Sequence, residues 1–123
     1  MGSDEHDLGT ETFLDLDGQI LVIDSKGDYC VRFSVQRVER SPERPHGLNY
    51  SLTLHGPDGR RLIGFDNAHA VRQSRGPGGK RGRSADHKHR MDEIRPYRFQ
   101  DAPTLLTDFW AEVDAYLKEK GVR

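Results

Sequence analysis

Apolar and polar positions alternate along most of the middle of the chain. Ile20-Leu21-Val22-Ile23 is a short apolar run closed by Ser25-Lys26-Gly27-Asp28, a turn composition. Tyr29, Val31, Phe33 and Val35 then share one face, while Arg32, Ser34 and Gln36 share the other. Pro42 to Gly47 interrupts the pattern. Leu48, Tyr50, Leu52 and Leu54 resume it as far as Gly56-Pro57-Asp58-Gly59, a strong hairpin turn, and Leu62, Ile63 and Phe65 mark the next strand. Four strands in chain order joined by short turns predict an antiparallel meander. Arg95 to Phe99 is expected to return as a last short strand, kept to an edge by Pro96.

The period changes to that of a helix near the end. Asp101 reads as an N-cap, with Pro103 in the first turn where its missing N–H is harmless. Leu105, Leu106, Phe109, Trp110, Val113, Tyr116 and Leu117 form one apolar stripe, opposite Asp108, Glu112 and Asp114. Lys118 and Lys120 suit the C-terminal end of the dipole, and Gly121 ends the helix. The expected architecture is a single α+β domain over residues 11–123. Its antiparallel meander sheet has four to five strands, and the C-terminal amphipathic helix packs on one face. Residues 1–10 show no periodicity and are expected to be a disordered start. Residues 72–85, RQSRGPGGKRGRSA, are glycine-rich and basic, the composition of a flexible loop.

Composition narrows the class. A chain of 123 residues holds one modest core. No apolar run approaches the roughly 18–20 residues that span a bilayer, and the acidic start lacks the pattern of a signal peptide. The single cysteine, Cys30, forms no internal disulfide, so a reducing cytoplasm is the expected compartment and no membrane partner is expected. A net charge of −1 hides a segregation: −7 over residues 1–28, +8 over 29–100 and −2 over 101–123. A basic middle of this kind can meet a polyanion, and equally the acidic end can fold back over it.

Candidate chemistry collects in that middle, which holds His55, His69, His87 and His89. In an extended segment His87 and His89 fall on one face, about 7 Å apart at Cα. With His69 near, they suit general acid–base work, since imidazole titrates close to neutral pH. Cleavage of RNA by its own 2′-hydroxyl requires such a base and acid, plus a cation for the phosphorane from Arg61, Lys88, Arg90 or Arg98. The same histidines with Asp66 make an acceptable metal-ligand set, and a solvated loop with incidental histidines is the third reading. Asp66-Asn67 after a strand either shapes a turn or acts in the site. Arg75, Lys80, Arg81 and Arg83 have no P-loop spacing but would attract phosphates without regard to sequence. His6 and His46 lie in irregular stretches and read as inert, and His55 sits in a hairpin.

The runs YSLTL from Tyr50, GRRLIGFDNAH from Gly59 to His69, and DHKH from Asp86 to His89 together resemble the TumE-like family of toxin–antitoxin toxins. Arg95-Pro96-Tyr97 and the LLTDFWAEV run from Leu105 to Val113 resemble the family's close. The similarity extends from about Gly18 onward. It implies a toxin of a type II pair that acts on RNA, partnered by a small helix-turn-helix antitoxin. Ala70 and Asp86 stand where members often carry further histidines, which removes two potential metal ligands. The resulting expectation is a metal-independent endoribonuclease with no cofactor. His69, His87 and His89 are its acid–base candidates, Asp66 and Asn67 orient them, and Arg61 or Lys88 stabilises charge. A non-catalytic RNA- or protein-binding module and a metal-dependent nuclease are the alternatives. An acidic segment of the antitoxin is expected to cover the basic site, and homodimerisation is left open.

Overall fold

The computed structural model describes residues 3–42, 44–67 and 86–122, with side chains from residue 9 onward. Its elements are α1 (Ser3–Leu14), β1 (Ile20–Val22), β2 (Cys30–Arg37), β3 (Leu48–His55), β4 (Arg61–Asp66), β5 (His87–Arg90), β6 (Glu93–Pro96) and α2 (Ala102–Glu119). The strands form one six-stranded antiparallel sheet whose spatial order is the chain order, so the expected meander is present.

Two features differ from the sequence reading. The sheet has six strands because the HKHR stretch is itself a strand, and its hairpin return begins at Glu93 and stops at Pro96, where a ladder N–H is missing. That hairpin turns through Met91, at φ 55°, a left-handed position with no glycine to signal it. The N-terminal segment is helical from Ser3 rather than irregular to residue 10. Its sequence carries no apolar stripe, and its anchor is Phe13, fully buried edge-on to Tyr50. Gly9 brings the helix against α2, where a Cβ would stand 2.9 Å from the Pro103 ring. Tertiary packing therefore makes this helix where periodicity does not.

Helix α2 follows its capping signals. Asp101 accepts from the Thr104 N–H at 2.8 Å, and Pro103 lies in the first turn. Its apolar stripe lies across one face of the sheet. Leu105, Phe109, Val113 and Leu117 are fully buried, and Phe109 meets Phe33 and Phe65 edge-to-face at 6.1 and 5.9 Å. Each such side chain contributes about 1.5–3 kcal/mol by leaving water. Along β2 the pattern is strict: Val31, Phe33 and Val35 are buried beneath the helix, while Arg32, Ser34 and Gln36 are exposed. The core thus fills one side of the sheet, and the other side carries polar residues. No helix among the described residues is long and apolar enough to cross a membrane.

Phe109→Ala should remove the contact that joins helix to sheet. We expect a loss of about 3–5 kcal/mol in urea denaturation, with the slope of the transition unchanged.

Candidate functional site

Antiparallel register decides which side chains meet. Asp66 on β4 pairs with His87 on β5, and Gly64 pairs with His89. Alternation puts Ile63 and Phe65 toward α2 and sends Gly64 and Asp66 to the opposite face. The Asp66 carboxylate there lies between two imidazoles. His87 Nε2 is 2.8 Å from Oδ1, and His89 Nε2 is 3.2 Å from Oδ2. The two rings stand edge-to-face with centroids 4.8 Å apart, and all three residues are more than nine-tenths buried. The first contact has the length of a charge-assisted bond, but the His87 N–H is not aimed along it. In the second, the His89 N–H is likewise off the line of a hydrogen bond, so the contact is a weaker attraction between the N–H dipole and the carboxylate.

Arg61 reaches the cluster from the far end of β4. Its Nη2 is 3.3 Å from His89 Nδ1. A guanidinium only donates, so Nδ1 accepts and the neutral ring carries its proton on Nε2, toward Asp66. Gly64 makes this reach feasible: a Cβ there would stand 3.2 Å from Arg61 Cδ and 3.6 Å from the His89 ring. Burial first, and the Arg61 charge second, hold the His89 imidazole below its ordinary value, with Asp66 pulling the other way. His89 is therefore neutral at physiological pH.

Asp66, His87 and His89 also present their ligand atoms within 4.8 Å of one another, a spacing that would surround one cation. The Arg61 contact opposes that use. Ligation through His89 Nε2 needs a lone pair there and a proton on Nδ1, the reverse of what an Arg donor on Nδ1 imposes. A guanidinium beside the cluster also repels a cation. As arranged, the donor set fits proton transfer better than metal binding.

A second buried carboxylate lies one residue away, on the other side of the sheet. Asp86 accepts from the Tyr50 hydroxyl at 2.6 Å, and His46 Nε2 lies 3.0 Å from the same oxygen. His46 Nδ1 takes the Leu48 N–H at 3.1 Å, and its ring packs tilted against Phe99, with centroids 4.2 Å apart. Burial and the adjacent carboxylate push the Tyr50 hydroxyl far above its ordinary range, so it stays a donor. Asn67 is buried too, and its side chain continues the β3–β4 ladder: Nδ2 donates to the Leu48 carbonyl at 2.8 Å, and Oδ1 accepts from the Tyr50 N–H at 3.1 Å. Tyr50 thereby fastens both residues that flank segment 68–85. His46, which reads as inert in the sequence, belongs to this frame. The only cue in the chain is its place just before the strand that carries Tyr50.

The remaining candidates divide. Lys88 and Arg90 point to the α2 side of β5, toward Glu112 at 3.4 Å and Glu119 at 2.7 Å, away from the imidazoles. Arg98 is exposed beyond β6. His55 bonds Thr53 and the Gly59 carbonyl within its own hairpin. His69, Arg75, Lys80, Arg81 and Arg83 lie outside the described residues.

The depressed His89 value has a sign that can be measured. Above the ordinary value of 6.5 the ring is neutral both folded and unfolded. As pH falls below it, the unfolded chain takes up a proton that the fold refuses, and stability drops until the folded midpoint is passed. In an NMR titration of the imidazole protons, Arg61→Leu should raise the His89 midpoint and Asp66→Asn should lower it further.

No curated protein and no solved structure matches the chain. The family model described as "Toxin TumE" matches residues 10–117, from within α1 to the last turns of α2 and across the whole carboxylate–imidazole cluster. The chain belongs to the TumE toxin family.

Proposed function

We propose that this TumE-family toxin is a metal-independent endoribonuclease working by histidine acid–base catalysis. The observation that carries this reading is the Asp66 carboxylate held between the His87 and His89 imidazoles, with Arg61 on the far nitrogen of His89. A carboxylate behind an imidazole orients the ring and stabilises its cation, which is what a general base in a nearly buried site requires.

In the proposed reaction His87, backed by Asp66, takes the proton of a ribose 2′-hydroxyl. The 2′-oxygen forms a bond to the adjacent phosphorus, and the bond to the 5′-oxygen breaks. Arrival of the phosphate draws Arg61 onto a non-bridging oxygen, where it stabilises the charge of the phosphorane. The same movement frees His89 Nδ1 and removes a positive neighbour, so the imidazole takes a proton from water and passes it to the leaving 5′-oxygen, while His87 later returns the 2′-hydroxyl proton to solvent. The products are a 2′,3′-cyclic phosphate and a 5′-hydroxyl end. Gly64 keeps the path between Arg61 and His89 clear. Asn67 and the Tyr50–Asp86–His46 set hold the strand ends and touch no reacting atom. His69 and the basic residues of segment 68–85 are proposed to meet the RNA beside this centre, to which the chain tethers them at Asn67 and Asp86. A cognate antitoxin follows from the family; that it is a helix-turn-helix protein covering the basic site with an acidic segment is part of the proposal.

The spacing of the three ligand atoms favours a metal-dependent nuclease as the second reading. Cleavage of RNA by purified protein, with and without a chelator, separates the two. We expect cleavage that a chelator leaves intact, and a fall of about 10²–10⁴-fold in rate for His87→Ala and for Asp66→Asn. Growth arrest on induction should disappear with the same variants. Loss of activity on chelation would establish the metal reading, and an arrest that survives both variants would sink catalysis by this cluster.

A further inference from the structure

The face of the sheet opposite α2 is more than the floor of the cluster. Cross-strand pairs share a face, and the register lays two rows across it. One row runs Arg32, Thr53, Gly64, His89 over β2 to β5. The other runs Ser34, Ser51, Asp66, His87 over the same strands. Both rows start on exposed β2 and end at the imidazoles, so the catalytic groups lie at one end of a continuous polar strip. From Arg32 to His89 it crosses three strand spacings, about 14 Å.

The make-up of the strip is specific. Its floor is low, built from two serines, a threonine and a glycine, and its cations are Arg61 beside the imidazoles and Arg32 at the far end. Apolar residues flank the ends: Ile20, paired with Arg32 on β1 and 61 % exposed, and Ile94, paired with His89 on β6 and 56 % exposed. No Phe, Tyr or Trp stands on this face among the described strands. A base-stacking platform is therefore missing, while positive charge and hydroxyl groups for a sugar–phosphate backbone are present.

We propose that this strip is the track for a single strand of RNA, which runs across β4, β3 and β2 from the scissile phosphate toward Arg32. Phosphate and ribose contacts hold the strand, so binding discriminates little between bases. The choice of RNA rests on the ribonuclease reading. Arg32 is a positioning residue three strands from the imidazoles, and it grips a phosphate remote from the one that is cut.

The test uses the intact protein and a fluorescently labelled 2′-fluoro oligouridylate of about 12 nucleotides, which has no 2′-hydroxyl nucleophile. Arg32→Ala should weaken binding about five- to tenfold at moderate salt and flatten the slope of log K against log salt by about 0.7. Arg37→Ala removes the same charge from the α2 side of the sheet, where Arg37 pairs with Glu11; it should change affinity less than twofold. A small effect of Arg32→Ala, or an equal effect of both, would overturn the track, as would equal affinity for duplex RNA. Natural RNA assayed in parallel keeps the two proposals apart. Cleavage by the wild type with no Arg32 effect on the probe fails the track alone. An Arg32-dependent grip on the probe with natural RNA left intact fails the ribonuclease alone.

Discussion

The helices cover only one face of a six-stranded sheet, α2 along it and α1 through Phe13, and the layout of the molecule follows from that constraint. On the inner strands the large apolar residues turn toward α2, so Val31, Phe33, Leu52, Ile63 and Phe65 share the core with Leu105, Phe109 and Val113, while Ile20 and Ile94 on the outer strands stay exposed. The intervening positions are released from packing and become available for chemistry. Strand β4 shows the division within a few residues: Ile63 and Phe65 join the core, while Gly64 and Asp66 face the imidazoles. The carboxylate is fixed because its neighbour Phe65 is wedged against Tyr97 and Phe109.

Burial of charge is the second organising cost. Asp66 and Asp86 are both nearly inaccessible to water, and each is met by polar partners rather than left to lose its solvation alone. Since Asp86 and His87 are consecutive in extended chain, their side chains go to opposite sides of the sheet. The Tyr50–Asp86–His46 set therefore braces the strand from beneath while His87 faces Asp66 above it. A frame fully engaged in hydrogen bonds is rigid, and rigidity at this point holds an imidazole in register with its carboxylate.

Much of this was legible in the residues. Alternation announced β2, β3 and β4, and the stripe from Leu105 to Leu117 announced α2 with its Asp101 cap. Histidine spacing and the Asp66-Asn67 pair after a strand pointed to Asp66, His87 and His89 before any register was known, and the resemblance carried by DNAH and DHKH pointed to the same residues. What escaped has physical causes. Helix α1 depends on Phe13 and on a close approach at Gly9, which are tertiary facts. Lys88 looked as suitable as Arg61 for the catalytic charge until strand alternation sent it to Glu112. The part played by His46 could not be read at all, because its partner Asp86 is forty residues distant and no local pattern joins them.

The double latch on Tyr50 has a consequence for how such a molecule can vary. Its main-chain N–H holds Asn67 and its hydroxyl holds Asp86, so the strands are closed off on both sides of segment 68–85 before that segment contributes anything. By loop-closure entropy, each doubling of the length of chain between two fixed ends costs only about 0.6 kcal/mol. The sheet therefore puts little constraint on how much chain lies between Asn67 and Asp86. Residues added or removed there leave the two anchoring bonds, and the strands that carry the imidazoles, as they are.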